Sequence, residues 1–410
     1  MKTTNHKELP IGIIGAGPIG LAAAAHLHKQ GLPFYVFELG SHVGENFLDY
    51  KHVRLFSPWK FNIDPASKEI LKRSEWTEPV EKRLPYAGDI YTDYLEPLSK
   101  TPELEPNIHL NSRVVSVGRK HIDKSRTKER SNNPFVINVI QNGSVETYEV
   151  RAVIDASGTW QTPNPLISGG YYSPAEEQAK ESINYGIPDV LGEDKERYQG
   201  KHTLVVGSGH SAINTVIQLG QLKERVPDTK ISWVIRKPDF AFIAALSKNR
   251  FLAQYKLGEK IERLMSKRSI ECFSSFYIED LQESNGKLIV TGASEERVEE
   301  IDEIVVNTGS RPNIDIFREI QTSLHASAEC AEGIAELLFE KKGVVQPHGE
   351  RFLRHMEEDF YIIGTKSYGR ASSFFLMNGF EQARSIAAYL NGKVEESEEI
   401  RIKFPDEWLT

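Results

Sequence analysis

The amino-acid sequence predicts an α/β protein with two doubly wound, three-layer domains and a small antiparallel β layer. Two segments carry this prediction, because each contains a short apolar strand, a glycine-rich turn, a helix and a second strand. The first covers residues 11–37 and the second residues 203–235. A strand–helix–strand run with this spacing forms a right-handed parallel βαβ unit. Two such units in a chain of 410 residues indicate two domains.

The composition is that of an ordinary globular chain. Hydrophobic residues make up 39% and charged residues 26%, and the formal net charge is −8. A negative charge disfavours nucleic acid and acidic lipid, so neither nucleic acid nor a membrane is expected as a partner. The two cysteines form no C-x-x-C pair, so no dithiol and no metal site are expected. Few cysteines are typical of the reducing cytoplasm, which is the expected location.

Between the two βαβ units, the sequence changes character. Residues 114–117, 135–140 and 145–150 are rich in β-branched residues and predict the antiparallel layer, and a buried strand follows. The basic stretch at residues 119–130 has no aromatic residues among its charges. We interpret it as a solvent-exposed hairpin tip rather than as a nucleic-acid site.

A G-x-G-x-x-G turn joins the first strand to its helix. Gly15 allows the tight turn, Gly17 lets the backbone approach a pyrophosphate, and Gly20 allows close packing of helix and strand. The second strand ends in Glu38, eighteen residues after Gly20, where a carboxylate can accept hydrogen bonds from both ribose hydroxyls. A carboxylate there disfavours a 2′-phosphate, so the predicted ligand is FAD or NAD. The turn residues expected to contact it are Gly15, Gly17, Pro18, Ile19 and Gly20.

A second turn of this kind follows the strand near residue 203. Its strand partner ends in Arg236 and Lys237 rather than in an acid. Guanidinium pairs well with phosphate, so this Rossmann-like unit is predicted to bind NADPH, although a solvent-facing basic strand end is the alternative. We expect His210 to make a backbone or phosphate contact rather than a catalytic one. The turn residues expected at this site are Gly207, Ser208, Gly209, His210, Ser211 and Ala212.

Together these motifs resemble those of the two-dinucleotide-binding flavoproteins, the superfamily related to glutathione reductase and the flavin-containing monooxygenases. Residues 155–159 and 307–312 look like the two crossing motifs of that superfamily, and residues 360–365 resemble its closing strand beside the flavin. A helix beginning near residue 378 would point its N-terminus at the isoalloxazine ring. The resemblance adds these candidate cofactor contacts: Ser157, Gly158, Thr308, Gly309, Gly364, Thr365 and Gly379.

The resemblance implies FAD in the first unit and NADPH in the second. It also implies that residues 1–160 and 313–410 form an FAD-binding domain, into which residues 161–312 are inserted as the NADPH-binding domain. Three features depart from the superfamily. Thr365 replaces the usual aspartate, the redox-active dithiol is absent, and no histidine occurs in the linker before the second turn, where the flavin monooxygenases carry one.

The resemblance further implies hydride transfer from NADPH to the flavin. In the favoured interpretation, oxygen is then activated and a small molecule is monooxygenated. Asn62, in a segment that resembles a flavin-facing loop, is the candidate catalytic residue, and an ordinary turn asparagine is the alternative. The other functions considered are a reductase acting on a quinone, disulfide or protein acceptor, and a non-enzymatic redox sensor. A homodimer is left open.

Overall fold

The computed structural model describes residues 8–141, 143–246, 252–340 and 345–405. The chain forms two compact units. Unit 1 comprises Met1–Lys51, Ser57–Thr162 and Arg311–Thr410, and unit 2 comprises His52–Phe56 and Pro163–Ser310. The segment His52–Phe56, which the sequence analysis placed in the first domain, is therefore grouped with unit 2.

Unit 1 is built on a five-stranded parallel sheet with the strand order β16–β7–β1–β2–β3. All four residues of β1 are buried, as expected for a central parallel strand that is covered on both faces. The strands are β1 (Ile11–Ile14), β2 (Phe34–Phe37), β3 (Ile108–His109), β7 (Ala152–Asp155) and β16 (Phe360–Ile362).

Two long helices, α1 and α12, pack against each other in unit 1. The run Leu21–Ala25 in α1 is completely buried, because its alanines let the helix approach its neighbours closely. The helices of unit 1 are α1 (Pro18–Lys29), α2 (Asn46–Asp49), α3 (Pro65–Leu71), α4 (Ala87–Ile90), α5 (Glu96–Ser99), α11 (Glu332–Glu340), α12 (Leu376–Leu390) and α13 (Val394–Glu398).

The predicted antiparallel layer is present in unit 1 as β4 (Ser112–Arg119), β5 (Phe135–Gln141) and β6 (Ser144–Val150). The interpretation of residues 119–130 as a solvent-exposed tip is wrong at both ends of the stretch. Arg119 and Arg130 are buried, and both bind the buried carboxylate of Glu357, at 2.8 and 2.6 Å. Their guanidinium groups therefore fasten the hairpin to the chain that precedes β16.

Unit 2 contains a second five-stranded parallel sheet, with the strand order β11–β10–β9–β15–β8. Its strands are β8 (Ile183–Tyr185), β9 (His202–Val206), β10 (Lys230–Val234), β11 (Glu271–Phe273) and β15 (Glu303–Val306). Its helices are α6 (Pro174–Gln178), α7 (Lys195–Tyr198), α8 (His210–Arg225), α9 (Phe242–Leu246) and α10 (Leu252–Ser266).

Unit 2 also carries an antiparallel sheet of three strands, β12 (Ile278–Ser284), β13 (Lys287–Gly292) and β14 (Arg297–Ile301). The parallel sheets and the first antiparallel layer confirm the predicted fold class, whereas this second layer was not predicted. In β12 only Ile278 and Leu281 are buried, so its sequence lacks the strict alternation that identifies a strand. In the described part of the chain, no helix is long and apolar enough to cross a membrane.

Candidate functional site

The glycine turn after β1 has the geometry of a pyrophosphate cradle. Gly15 has φ +95°, and a Cβ there would lie 2.8 Å from the carbonyl oxygen of Ala156. A Cβ at Gly20 would lie 1.9 Å from the carbonyl oxygen of Gly15. A Cβ at Gly17, in contrast, would meet nothing within 4 Å. The fold itself therefore requires glycine at the first and third positions, while the middle position opens onto free space at the N-terminus of α1.

Glu38 holds this turn from the end of β2. Its Oε2 accepts a hydrogen bond from the backbone N–H of Ala16 at 2.7 Å, and its Oε1 accepts one from the N–H of Gly40 at 2.9 Å. Burial raises the pKa of the Glu38 carboxyl, and the two backbone donors oppose that effect. A carboxylate oxygen can accept more than one hydrogen bond, so both oxygens keep a lone pair for ribose hydroxyls.

Three of the predicted segments meet at Ile19 in unit 1. A Cβ at Gly379, near the start of α12, would lie 2.5 Å from Ile19 Cδ1. A Cβ at Gly364, which has φ +71° after β16, would lie 3.4 Å from Ile19 Cγ1. The structure thus brings the first turn, the closing strand and the N-terminus of α12 together, with Thr365 exposed beside them.

The first crossing motif begins where β7 ends. Asp155 Oδ1 accepts hydrogen bonds from the backbone N–H of Ser157 at 3.1 Å and from its hydroxyl at 2.6 Å. Gly158 follows with φ +69°, a backbone conformation that residues other than glycine rarely adopt. The motif is therefore fixed by its own buried carboxylate beside the Gly15 turn.

A buried amide supports the closing turn from inside α12. Gln382 Oε1 accepts a hydrogen bond from the backbone N–H of Gly364 at 2.8 Å, and its Nε2 lies 2.9 Å from His348 Nε2. His348 Nδ1 lies 3.0 Å from the carbonyl oxygen of Gln346. These partners assign the neutral tautomer, in which Nδ1–H donates and Nε2 accepts. Burial lowers the pKa of His348 to about 4, in agreement with that state.

We expect His348 to make the protein less stable in mild acid. The unfolded histidine binds its proton near pH 6.5 and the folded one near pH 4, so the unfolded state binds more protons between these values. The contribution of neutral His348 to the free energy of unfolding is therefore fully present above pH 6.5. It falls by about 3 kcal/mol as the pH drops to 4. Denaturant titrations across this range should show a smaller decline for His348→Gln. An unchanged decline in the variant would contradict the assigned neutral state.

The second glycine turn, in unit 2, repeats the construction of the first. Gly207 has φ +129°, and a Cβ there would lie 2.2 Å from the carbonyl oxygen of Asn307, at the end of β15. A Cβ at Gly209 would meet nothing within 4 Å, and Ala212 is fully buried at the third position. Ser208 and Ser211 are half-buried between them. The second crossing motif continues with Thr308 and Gly309, whose φ is +88°.

His210 begins α8 and has an unsatisfied polar atom. Its ring lies 4.8 Å from that of Phe56, centroid to centroid. Its buried Nε2 has no hydrogen-bond partner among the described residues, and burial lowers the pKa of the imidazole. Leaving a buried polar group unpaired costs about 1–3 kcal/mol. Such a group at the N-terminus of a helix suits a phosphate contact, as the sequence analysis proposed for His210.

Arg236 and Lys237 lie just beyond the carboxyl end of β10, and both are exposed. The ammonium group of Lys237 lies 4.3 Å from the centroid of the Phe242 ring. Over the described ranges, neither residue forms an ion pair with a carboxylate. The two cations are therefore available to an anionic ligand at the same sheet edge as the second glycine turn.

Asn62 is only 1% exposed, and its amide is committed to its own loop. Its Nδ2 donates to the carbonyl oxygens of Ser57 and Pro58, at 2.8 and 3.2 Å. Its Oδ1 accepts from the Ser57 hydroxyl at 2.7 Å. Because both amide hydrogens are used within residues 57–62, this geometry favours the turn-asparagine alternative over a catalytic donor.

The two cysteines are free and do not pair with each other. Cys272 is exposed and Cys330 is buried. Burial raises the pKa of the Cys330 thiol to about 11, so this cysteine is not a thiolate at neutral pH. Thiolate is the nucleophilic form in disulfide exchange, so Cys330 is unsuited to that chemistry.

The comparisons with known proteins agree with this construction. Residues 12–331 match the family model described as pyridine nucleotide-disulphide oxidoreductase. Among curated proteins, senecionine N-oxygenase of Tyria jacobaeae is 25% identical over 250 residues, which are 56% of this chain and 49% of that protein. The chain thus matches about half of that relative's length. The match to the family model, over residues 12–331, confirms the predicted superfamily and the prediction of an oxidoreductase.

Solved structures that share the fold include a disulfide reductase and an N-hydroxylase. Bacillithiol disulfide reductase of Bacillus cereus has a TM-score of 0.68 and 18% identity, covering 94% of this chain and 99% of that one. Ornithine N-hydroxylase of Kutzneria sp. 744, with reduced FAD, NADP⁺ and L-ornithine, has a TM-score of 0.63 and 14% identity, covering 94% of this chain and 99% of that one. The cofactors of that structure are the pair that the sequence analysis predicted here.

Proposed function

The chain belongs to the pyridine nucleotide-disulphide oxidoreductase family, and we propose that it is an FAD-dependent, NADPH-using oxidoreductase that monooxygenates a small molecule. The observation that carries the proposal is the duplicated glycine turn. In each unit the first glycine is required by the fold, whereas the middle one, Gly17 or Gly209, opens onto free space. The chain therefore has two separate places where a backbone can approach a pyrophosphate.

In this proposal unit 1 holds FAD. The N-terminus of α1 receives the pyrophosphate, and Glu38 receives the ribose. Gln382 keeps Gly364 in place, and the N-terminus of α12 presents its partial positive charge to the ring system. When bound, the flavin accepts hydride from NADPH and passes electrons to oxygen, while the protein supplies binding, orientation and exclusion of water.

Unit 2 holds NADPH in the same manner. The N-terminus of α8, with His210, receives the pyrophosphate, and the exposed cations beyond β10 receive the 2′-phosphate. Here we expect the double change of Arg236 and Lys237 to alanine to raise the KM for NADPH at least tenfold and to leave that for NADH nearly unchanged. A lost charge-assisted contact costs roughly 1.5–3 kcal/mol.

Steady-state kinetics with both nucleotides measures this effect. Lys230→Ala is the matched control, because Lys230 is exposed at the opposite end of the same strand. Equal losses with NADPH and NADH would place the 2′-phosphate elsewhere.

Oxygenation of a soft heteroatom such as an amine nitrogen is the proposed outcome, because the curated relative is an N-oxygenase. A reductase remains the second candidate, since a disulfide reductase is among the structures of this fold. The absence of a C-x-x-C dithiol and the raised pKa of the buried Cys330 thiol weigh against a disulfide substrate handled by a cysteine of this chain. Reduction of a quinone needs no thiol, so a quinone reductase is the form of this second candidate that we test.

The experiment compares acceptors for the reduced enzyme. The FAD-loaded protein is supplied with NADPH and air, and tested with a panel of amines and thioethers and, separately, with a quinone under argon. We expect one panel compound to give an oxygenated product in proportion to the NADPH and oxygen consumed, with little hydrogen peroxide. Fast NADPH oxidation by the quinone without oxygen, and no oxygenated product, would establish the reductase instead.

A further inference from the structure

Unit 1 buries a lysine that no sequence motif identified. Lys366 follows Gly364 and Thr365 after β16 and is only 2% exposed. Its ammonium group lies 2.7 Å from Asp155 Oδ2 and 3.0 Å from the hydroxyl oxygen of Ser157. That hydroxyl donates to the other carboxylate oxygen of Asp155 at 2.6 Å. Lysine, carboxylate and serine thus form one cluster, in which Lys366 and Asp155 are buried and Ser157 is half-buried.

This cluster lies at the carboxyl edge of the parallel sheet. Asp155 is the last residue of β7, between β1 and β16, and its carbonyl oxygen accepts from the N–H of Ile363 at 2.8 Å. A Cβ at Gly15 would lie 2.8 Å from Ser157 Cα. The carboxyl edge of a doubly wound sheet is where its ligand binds. The residue that contacts both members of the ion pair, Ser157, therefore lies next to the turn that we assign to FAD.

The charges of the cluster balance each other. His355, whose pKa also responds to Asp155, is neutral at pH 7 because burial lowers its pKa to about 4. The ring of Phe317, with its centroid 5.1 Å from the ammonium group, adds no formal charge. Among the contacts of this cluster in the described part of the chain, one basic and one acidic side chain therefore face each other, and both are buried. Removing either partner would leave an uncompensated charge in a medium of low dielectric.

We propose that Lys366 and Asp155 act as a charge-balancing pair that sets the reduction potential of the FAD in unit 1 and positions the crossing motif beside it. This inference rests on the proposed function. Reduction adds negative charge to the flavin, so an unpaired carboxylate behind it disfavours the reduced form. An unpaired ammonium favours it. A purely structural ion pair would show no such opposition of sign.

The test measures the midpoint potential of the bound FAD in Lys366→Met, Asp155→Asn and the double variant. Lys366→Met is titrated at pH 9, because high pH favours the charged form of a carboxylate, and Asp155→Asn at pH 6, because low pH favours the charged form of an amine, each against wild type at the same pH. We expect the first to lower the potential and the second to raise it. Each shift should correspond to at least a tenfold change in the two-electron equilibrium constant, about 30 mV. The double variant should return close to wild type at both pH values.

Glu357→Gln is the matched control, because it disrupts a buried ion cluster at the amino end of β16 and is expected to leave the potential unchanged. Shifts of the same sign in both single variants, or none, would overturn the inference while FAD binding stands. A wild-type protein that binds no FAD would overturn the proposed function and this inference together. If Lys366→Met does not fold, the test compares Lys366→Arg with Asp155→Asn. We expect Lys366→Arg to keep the wild-type potential and Asp155→Asn to raise it.

Discussion

Replacing Gly17 by valine is expected to give a folded but colourless protein whose affinity for FAD is at least about 100-fold lower, or about 2.7 kcal/mol. The backbone at Gly17 has φ −73° and ψ −176°, which valine adopts readily, and its Cβ would meet no protein atom within 4 Å. The fold of the apoprotein should therefore tolerate the change. The branched side chain would occupy the space that the pyrophosphate needs. Flavin absorbance and thermal melting measure the two effects separately.

Gly209→Val is the matched control, because Gly209 has the same extended conformation and the same free space in unit 2. This variant should remain yellow and lose affinity for NADPH instead. The crossed pattern is the informative result, since each variant controls for the folding of the other. Loss of FAD in both variants, or in neither, would contradict the assignment of one dinucleotide to each turn.

Replacing Glu357 by alanine is expected to lower the free energy of unfolding by about 3–5 kcal/mol, because it leaves two buried guanidinium groups without their carboxylate. Arg119 and Arg130 both bind this residue, and the guanidinium of Arg119 also lies 3.5 Å from the ring centroid of Phe135. The loss would loosen the antiparallel hairpin of unit 1. Chemical denaturation measures the change.

Glu224→Ala serves as the control for the Glu357 variant. Glu224 pairs with Lys267 on the surface, where both side chains are more than half exposed. Exposed ion pairs contribute little to stability, so this variant should unfold like the wild type. Equal free energies of unfolding for the Glu357 and Glu224 variants would show that the buried ion pairs of Glu357 do not stabilise the hairpin.

Local patterns predicted most of the fold. The first predicted unit, residues 11–37, begins with β1 at Ile11 and ends with β2 at Phe37, because a short apolar strand before a glycine turn is recognisable without its neighbours. The cradle geometry of Gly15 and Gly207 follows from the same local rule, although the atoms that enforce it, in Ala156 and Asn307, come from distant strands.

The parts that were not predicted depend on contacts between residues far apart in sequence. Nothing near Lys366 in the sequence indicates its ion pair with Asp155, which lies at the end of β7. Nothing near Arg119 indicates its ion pair with Glu357. Asn62 resembles a catalytic donor by position, but hydrogen bonds within its own turn use both of its amide hydrogens. Burial and partnership of a polar side chain are tertiary properties, and periodicity does not encode them.

The identity of the bound flavin shows whether unit 1 binds FAD. The purified protein is denatured, and the released chromophore is separated and compared with FAD and FMN standards before and after phosphodiesterase treatment. We expect about one FAD per chain, converted to FMN by the treatment, because only a dinucleotide has the pyrophosphate and ribose that we assign to the Gly15–Gly20 turn and Glu38. A colourless protein that also fails to bind added FAD, or one that releases FMN alone, would contradict this expectation.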